Sequence, residues 1–286
     1  MIGCSSYSFG HYFDDNGGEW CIKKAKELGF EGIEFSGLGV AEDDYEGQVA
    51  TAKKFKAYAD EIDFTITHYS TGADMTNYRC GGKCIEDEIE RLKKQVDIAE
   101  ILGVKTMRHD IAWDYNGGRG LKNFMEALPI YANACREITK YAEQKGIATM
   151  FENHGFFVQA ADRVITLIEE VNHPNFGLLL DMGNFICADD NNLNSCKICA
   201  KYAKHVHAKD FFSKPYWEAD AEGYFRTNGG LQIQGCALGE GIVNPVACIE
   251  ILKREGYKGN YSLEYEGNGD NIEGIIKGLE VMKANI

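Results

Sequence analysis

The sequence has few of the features that mark linkers, membrane spans or nucleic-acid-binding surfaces. Its 286 residues include only 4 Pro and no low-complexity stretch, so a linker between domains is not expected. The 30 Lys and Arg are outnumbered by 44 Asp and Glu, for a formal net charge of -14. This balance disfavours a nucleic-acid partner, because DNA binding draws on clustered Lys and Arg, but it does not disfavour a small neutral sugar. No membrane-spanning segment is found, so no membrane partner is expected, and the length fits one large domain over residues 1–286.

The N-terminus and the cysteines predict a cytoplasmic protein. Residues 1–5 carry no basic region followed by an apolar one, so a signal peptide is not expected. Ten cysteines without such a signal indicate reduced thiols. Cys196 and Cys199, like Cys80 and Cys84, suggest zinc ligands, but a four-cysteine site normally brings two close pairs with defined spacing. Because Cys196 and Cys199 lie in a stretch with a helical pattern, we expect them to be buried as small apolar residues.

Short apolar runs alternate with amphipathic stretches along the whole chain. The predicted strands are residues 2–9, 30–35, 64–68, 103–109, 146–152, 175–181, 205–210 and 259–264, and helical patterns lie between them. Eight strands alternating with helices over this length predict an α/β fold, a parallel (β/α)₈ barrel. The competing architecture is a doubly wound open sheet, but its Gly-rich phosphate turn is missing after the first strand. Residues 211–243, after strand seven, are predicted to form a long loop insertion that serves as a lid or an edge of the pocket.

Four strands of the second half each end in a residue that can bind a metal. Glu152 ends the fifth strand, Asp181 the sixth and Glu264 the eighth, and His207 lies at the end of the seventh. A parallel barrel brings all strand carboxyl ends to one face, where such a set cannot stay charged and dry without a counter-charge. Helix capping or pairing with lysines is the alternative, but it poorly explains why four such residues follow four consecutive strands. We predict one divalent metal ion, Mn²⁺ first, with Mg²⁺, Co²⁺ or Zn²⁺ as alternatives.

The motifs at these strand ends carry a family resemblance. They are Phe151-Glu152-Asn153-His154-Gly155, Leu180-Asp181-Met182-Gly183-Asn184, His205-Val206-His207-Ala208-Lys209-Asp210, Leu238-Gly239-Glu240-Gly241 and Ser262-Leu263-Glu264-Tyr265-Glu266-Gly267. With them the chain resembles the xylose-isomerase-like barrel superfamily of sugar phosphate isomerases and epimerases. The resemblance implies a metal-dependent enzyme that isomerises or epimerises a ketose or keto-polyol. It also implies that the metal ligands are Glu152, Asp181, His207 and Glu264.

In the epimerases of this superfamily, residues matching Glu152 and Glu264 also move the proton. The resemblance therefore implies that the metal polarises the substrate carbonyl, while one carboxylate removes the neighbouring proton and the other returns one. His154 lies two residues past Glu152 and is a second candidate base, or else a histidine that orients a ligand. His68 and His109 end the predicted strands three and four, so they are expected to face the same mouth and contact substrate hydroxyls.

Two basic residues and one further acid are also candidate substrate contacts. Lys209 lies two residues beyond His207. Arg226 lies in the insertion, where the alternative is an ion pair with Glu218, Asp220 or Glu222. Glu34 ends the predicted strand two and is expected either to bind substrate or to pair with a lysine at the rim. The aromatic side chains of the insertion, with Trp113 and Tyr115, would wall the pocket or pack among themselves.

Several functions remain open within and beyond this resemblance. Epimerisation, isomerisation and inosose-type dehydration begin with the same proton abstraction, and some relatives cleave carbon-linked glycosides with a small partner subunit. From another class comes a non-catalytic sugar- or metal-binding barrel. A nuclease is disfavoured, since nuclease relatives carry a His where this chain has Asn184 and need a basic surface. A phosphorylated substrate is disfavoured because no Gly-rich phosphate loop follows strands seven or eight. We expect a small sugar or polyol as substrate, and a homo-oligomer is common among the relatives.

Overall fold

Eight parallel strands close into a barrel in the computed structural model, which describes residues 1–75, 85–113 and 123–286. Around the barrel their order is β1-β11-β7-β6-β5-β4-β3-β2, which confirms the predicted (β/α)₈ architecture. The cysteines at 80 and 84 and Tyr115 lie outside the described residues. The strands are β1 (Ile2–Ser5), β2 (Gly32–Ser36), β3 (Thr65–Thr71), β4 (Thr106–His109), β5 (Ala148–Glu152), β6 (Phe176–Asp181), β7 (Ala203–Ala208), β8 (Asp210–Lys214), β9 (Phe225–Arg226), β10 (Gln232–Cys236) and β11 (Tyr261–Leu263).

The helices lie between the barrel strands, close to their predicted positions. Asp44 caps the third by accepting a hydrogen bond from the Gly47 N–H at 2.9 Å, and Gly29 ends the second in a left-handed conformation with φ of 91°. Among the described residues no helix combines the length and the apolarity needed to cross a bilayer. The helices are α1 (His11–Asn16), α2 (Gly18–Leu28), α3 (Tyr45–Glu61), α4 (Ile85–Leu102), α5 (Phe124–Glu143), α6 (Ala161–Val171), α7 (Asn184–Cys187), α8 (Asn192–Cys199), α9 (Pro245–Arg254) and α10 (Asn271–Asn285).

Alternation along the buried strands separates the polar barrel interior from the apolar layer beneath the helices. The Phe151 ring of β5 stacks on Phe176 of β6 with centroids 5.9 Å apart, whereas the next residue, Glu152, points the opposite way. Every residue of β6 is buried, which is why its sequence is nearly continuously apolar. Cys196 and Cys199 are fully buried free thiols, as their helical pattern predicted.

The strands of the first half differ from the prediction in their bounds. β1 ends at Ser5, and residues 6–9 form a 3₁₀ turn. β3 continues to Thr71 because Tyr69, Ser70 and Thr71 pair with residues of β4, although polar residues there suggest a loop. Glu34 and His68 therefore lie in the middle of their strands, directly paired across β2 and β3. Their predicted positions at strand ends are wrong.

The insertion after β7 is a small sheet rather than the predicted long loop. β8, β10 and β9 form an antiparallel sheet in that order. Asp210 fixes the two ends of the insertion, since its carboxylate accepts N–H bonds from Gly239, Gly241 and Val243 at 2.9 to 3.0 Å. Gly241 is required there, because a Cβ at this position would lie 2.3 Å from the Asp210 carboxylate. The insertion is thus held rigidly against the carboxyl end of β7.

Candidate active site

The four predicted metal ligands converge at the carboxyl ends of four adjacent strands, β5, β6, β7 and β11. One ligand atom from each of Glu152, Asp181, His207 and Glu264 lies within 4.8 Å of the others. His207 Nδ1 is 3.7 Å from Glu152 Oε1, 3.8 Å from Asp181 Oδ2 and 3.3 Å from Glu264 Oε2. All four residues are buried. The cluster brings three carboxylates and one imidazole to one point.

This donor set fits a divalent cation. Among the described residues, no group makes a well-aligned hydrogen bond to His207 Nδ1 or Asp181 Oδ2, which are both buried. Each faces only a charged neighbour, Glu264 at 3.3 Å and Lys209 at 3.4 Å, so both atoms are placed to bind a cation. The other oxygen of Asp181 accepts N–H bonds from Gly183 and Asn184 at 2.7 and 2.9 Å, which aims Oδ2 inward. Three oxygens and one nitrogen are donors that Mn²⁺, Mg²⁺, Co²⁺ or Zn²⁺ accept.

The electrostatics of the cluster show how strongly it needs positive charge. Burial raises the pKa of Asp181 to about 6, against the opposing effect of Lys209. Burial also acts to raise the pKa of Glu264, but His207 and Lys209 overcome it and lower that pKa to about 2. Burial is the largest cause of the raised pKa of Asp181, and the neighbouring Glu152 and Glu264 add to it, so a cation bound beside them would favour the ionised form of Asp181.

Lys209 lies at the cluster itself rather than only at the pocket edge. Its Nζ is 2.6 Å from Glu264 Oε2, 3.4 Å from Asp181 Oδ2 and 3.0 Å from Glu266 Oε1, and the residue is 3% exposed. Glu266 was quoted in a motif but not predicted as a site residue. Because β-strand alternation continues past β11, Glu264 and Glu266 share a side, and that signal could have found Glu266.

Arg108 and Asn184 hold Glu152, and sequence reasoning assigned a role to neither. Arg108 donates from Nε to Glu152 Oε2 at 2.8 Å and makes a second, shorter contact from Nη2. Asn184 donates from Nδ2 to Glu152 Oε1 at 2.9 Å. Burial alone would raise the pKa of Glu152, but Arg108 and His207 hold it well below its ordinary range. Glu152 is therefore a fully ionised, fixed carboxylate.

His109 does not face the site, although it ends β4 as predicted. Alternation along β4 directs Arg108 to the interior and His109 to the opposite face. The His109 ring is fully buried, 6.3 Å from the ring of Phe176, in the apolar layer. The expectation that His109 faces the mouth is therefore wrong. Of these two adjacent polar residues, Arg108 is the one that faces the interior.

His154 stands beside the cluster and is paired with an aspartate that the sequence analysis missed. His154 Nδ1 is 3.2 Å from Asp110 Oδ1, and the His154 ring meets Trp113 edge-on at 4.7 Å. Asp110 is also 3.3 Å from Arg108. Burial acts to lower the pKa of His154, but the Asp110 carboxylate raises it. Asp110 directly follows the last residue of β4, which is the signal that could have identified it.

Glu34 and His68 lie inside the barrel and do not reach the rim. Glu34 is fully buried and contacts His205 and His207 at 2.9 and 2.8 Å. His68 Nδ1 is 2.7 Å from Thr106 Oγ1, and its ring stacks on His205 at 4.2 Å. Within the part of the chain that the structure describes, neither residue contacts a lysine at the rim or lines the cavity described next.

A cavity of about 560 Å³ lies next to the cluster, and Lys209 and Asn184, which contact Glu264 and Glu152, are part of its wall. The Phe225 ring of the insertion meets Phe211 edge-on at 5.9 Å within its wall, so the insertion forms an edge of the pocket. Arg226 lines the cavity and also donates from Nε to Asp220 at 2.9 Å, which is one of the ion pairs weighed for it. The lining residues that bear on function are Tyr7, Trp113, His154, Phe156, Lys209, Phe225, Arg226 and Glu266.

A parallel barrel with a carboxylate-rich cluster at its strand ends defines the class of the protein, and sequence comparison gives the family. Residues 22–285 match the family described as xylose isomerase-like TIM barrel, and the chain belongs to it. L-ribulose-5-phosphate 3-epimerase UlaE of Shigella boydii is 22% identical over 204 residues, covering 69% of this chain and 63% of that protein. The first two curated relatives are matched over only 45% and 63% of their lengths.

Solved structures of the same fold cover nearly the whole chain. The probable 3-DHS dehydratase AsbF of Bacillus anthracis aligns with a TM-score of 0.74 at 22% identity, over 99% of this chain and 98% of that one. D-allulose 3-epimerase from Methylomonas sp., in complex with D-allulose, aligns with a TM-score of 0.74 at 18% identity, over 100% and 96%. At these identities the likeness concerns the fold.

Proposed function

We propose that this protein is a divalent-metal-dependent isomerase or epimerase of a ketose or keto-polyol, acting by proton abstraction beside the carbonyl. The observation that carries the proposal is the buried cluster of Glu152, Asp181, His207 and Glu264. Lys209 contacts Glu264 and also lines a cavity large enough for a sugar. Membership of a family whose relatives include epimerases supports it. The four clustered residues would hold the metal, Mn²⁺ first, and the bound ion would supply positive charge beside the substrate oxygens.

Residues in and beside the cluster are placed to carry out the two proton-transfer steps. Glu152 and Glu264 come from strands separated by β6 and β7, so they approach the cluster from the two ends of a four-strand arc. We assign proton removal and return to these carboxylates, with His154 as a further group that can take or give a proton. Lys209, which contacts Glu264 and lines the cavity, would orient a substrate oxygen, as would Arg226.

The cavity favours an uncharged, unphosphorylated substrate. Its two basic lining residues, Lys209 and Arg226, are each already paired with carboxylates, Glu264 and Glu266 for the first and Asp220 for the second. Within the described part of the chain the cavity therefore offers a phosphate no basic side chain that lacks an acidic partner. Aromatic rings such as Trp113 and Phe225 suit the apolar faces of a sugar ring instead. A ketose or cyclic keto-polyol matches both features.

The test is solvent deuterium incorporation followed by NMR. Ketoses, inososes and related keto-polyols are incubated in D₂O with the metal-stripped protein, then with added Mn²⁺, then with EDTA. We expect exchange that appears with Mn²⁺ and disappears with EDTA, and that is lost in Glu264→Gln but kept in Glu88→Gln, a carboxylate paired with Arg91 outside the cluster. Absence of exchange on every compound would favour a non-catalytic sugar-binding barrel.

Dehydration of a cyclic keto-polyol is the second candidate. The pairing of His154 with Asp110 at 3.2 Å supports it, because elimination needs a group that protonates the departing hydroxyl, and the structural neighbour AsbF is a probable dehydratase. The same NMR experiment separates the two, since dehydration gives an unsaturated product.

The proposed enzyme is also expected to be cytoplasmic and to form a homo-oligomer. The exposed Tyr216 and Trp217 are the residues to examine for a subunit contact.

A further inference from the structure

A buried carboxylate, Glu34 of β2, connects two histidines of β7. Glu34 Oε1 is 2.8 Å from His207 Nε2, and Glu34 Oε2 is 2.9 Å from His205 Nε2. Ser70 donates its hydroxyl to Oε1 at 3.0 Å. Glu34, His205 and His207 are at most 1% exposed, so water does not compete for these bonds. Both oxygens of Glu34 thus accept hydrogen bonds from a histidine.

The two ring nitrogens of His207 face different partners. Nε2 faces Glu34, whereas Nδ1 faces the metal-ligand cluster, 3.3 Å from Glu264 Oε2, and no described residue makes a well-aligned hydrogen bond to it. An ionised carboxylate can only accept a hydrogen bond, so the nitrogen that faces it must carry the proton. When one nitrogen of a neutral imidazole holds the proton, the other presents its lone pair. In the metal-free protein, where His207 acts as a cation beside Glu264 and Glu152, Nδ1 also carries a proton. A cation bound at the cluster would take the place of that proton while Glu34 keeps the proton on Nε2, so the Nδ1 lone pair would then be directed at the cation.

We propose that Glu34 is a positioning residue, which holds the Nε2–H of His207 so that the metal ion binds this histidine through Nδ1. This inference rests on the metal site proposed above. His205 is the second donor to Glu34 and also lies 3.0 Å from Ser262 Oγ, and the stacked ring of His68 holds the plane of His205. The buried group that the sequence analysis expected at the substrate acts on the metal ligand instead.

Replacement by glutamine shows why the charge matters. A carboxamide has the same shape as the carboxylate, but it offers one acceptor oxygen and one N–H₂ donor. With both oxygens of Glu34 accepting from histidines, the amide nitrogen of the variant would face one ring N–H. The conflict is relieved only if one of the two histidines gives up its Nε2–H. In either case His207 loses the negative charge that holds its Nε2–H and raises the basicity of Nδ1, so it becomes a weaker metal ligand.

The first experiment is isothermal titration of Mn²⁺ into metal-stripped protein. We expect Glu34→Gln to bind Mn²⁺ about 10- to 100-fold more weakly than wild type, the range for partners that orient a metal ligand. Glu88→Gln is the matched control, because Glu88 is a buried carboxylate paired with Arg91 outside the cluster, and its affinity should equal that of wild type. A Glu34→Gln protein with wild-type circular dichroism and wild-type affinity overturns the proposal. A wild-type protein that binds no Mn²⁺ overturns the metal site as well.

The second experiment uses the wild-type protein and does not depend on the folding of a variant. Protein labelled with ¹⁵N-histidine is loaded with ¹¹³Cd²⁺ as the probe, and His207→Gln identifies the His207 signals. We expect ¹¹³Cd–¹⁵N coupling to Nδ1 and a proton on Nε2. Coupling to Nε2, or a proton on Nδ1 in the loaded protein, overturns the proposal even if Glu34→Gln weakens binding.

Discussion

Replacement of Arg108 by methionine should destabilise the metal-free protein strongly and the metal-loaded protein less. Arg108 and Glu152 form a buried ion pair, with side chains 11% and 2% exposed. Methionine fills much of the space of the arginine stem but leaves the Glu152 carboxylate without its nearest cation. Removal of one partner of a buried pair costs about 3 to 5 kcal/mol. At roughly 2 °C per kcal/mol for a chain of this size, the unfolding midpoint should fall by about 6 to 10 °C.

A bound metal should reverse part of this loss. Wild type gains about 2.7 kcal/mol from a ligand at 100 times its Kd. In Arg108→Met the cation would also replace the missing counter-charge of Glu152, so the gain on adding Mn²⁺ should exceed that of wild type. Arg91→Met is the control, because Arg91 makes a comparable pair with the buried Glu88 at 2.8 Å outside the cluster. It should be destabilised to the same extent with and without metal.

The assay is urea unfolding for the free energies and thermal unfolding for the midpoints, both followed by fluorescence, in EDTA and in excess Mn²⁺, for the three proteins. The reasoning fails if Arg108→Met loses less than about 1 kcal/mol in EDTA, because a buried unpaired carboxylate cannot cost so little. It also fails if Mn²⁺ stabilises Arg108→Met and Arg91→Met by the same increment. That result would mean that Arg108 has no special connection with the metal.

Three further predictions follow from the site. The pKa of Asp181 is raised to about 6, so the folded state holds this proton below pH 6 and the contribution of Asp181 to stability falls as pH rises from about 4 to 6. Because Mn²⁺ must displace the proton, its affinity should fall about tenfold per pH unit below 6. Mn²⁺ affinities that do not change between pH 7 and pH 5 contradict this. Asp110→Asn should slow solvent exchange about 100-fold with KM nearly unchanged, since Asp110 acts through His154; an unchanged rate contradicts the assignment. A free ketose should have a higher kcat/KM than its phosphate ester, measured side by side, and the reverse order would show that phosphate is recognised.

The clustering of the candidate metal ligands could be predicted because both signals that identify them are local. An apolar run that ends in Glu152 or Asp181 marks a strand and its exit, and the parallel barrel places neighbouring exits together. Nothing about distant contacts is needed, and the observed strands β5 and β6 end at these residues. Whether Arg108 or His109 faces inward was harder to predict. When two adjacent residues are both polar, the alternation of polar and apolar residues does not show which one points into the barrel.

Glu34 could not be placed from sequence for a different reason. Its partner His205 lies 171 positions away, and the pairing of Glu34 with His68 passes through an irregularity in the register between β2 and β3. A polar residue within a short predicted strand is indistinguishable from one at the rim unless the strand bounds are exact. The sheet of the insertion was missed likewise, because β9 has only two residues and, among the described strands, pairs with β10 alone.

The two halves of the barrel contribute different parts of the site. All four metal-ligand candidates come from β5, β6, β7 and the residue after β11. Groups of the second half hold Asp181 and Glu264, whereas groups of the first half contact the other two candidates and His154. Glu34 contacts His207, Arg108 contacts Glu152 and Asp110 contacts His154. Three carboxylates and a histidine repel or misorient one another without such partners. A fragment of the second half alone would therefore carry every ligand and still bind metal poorly, because ligand identity is local in the sequence whereas ligand orientation depends on closure of the barrel.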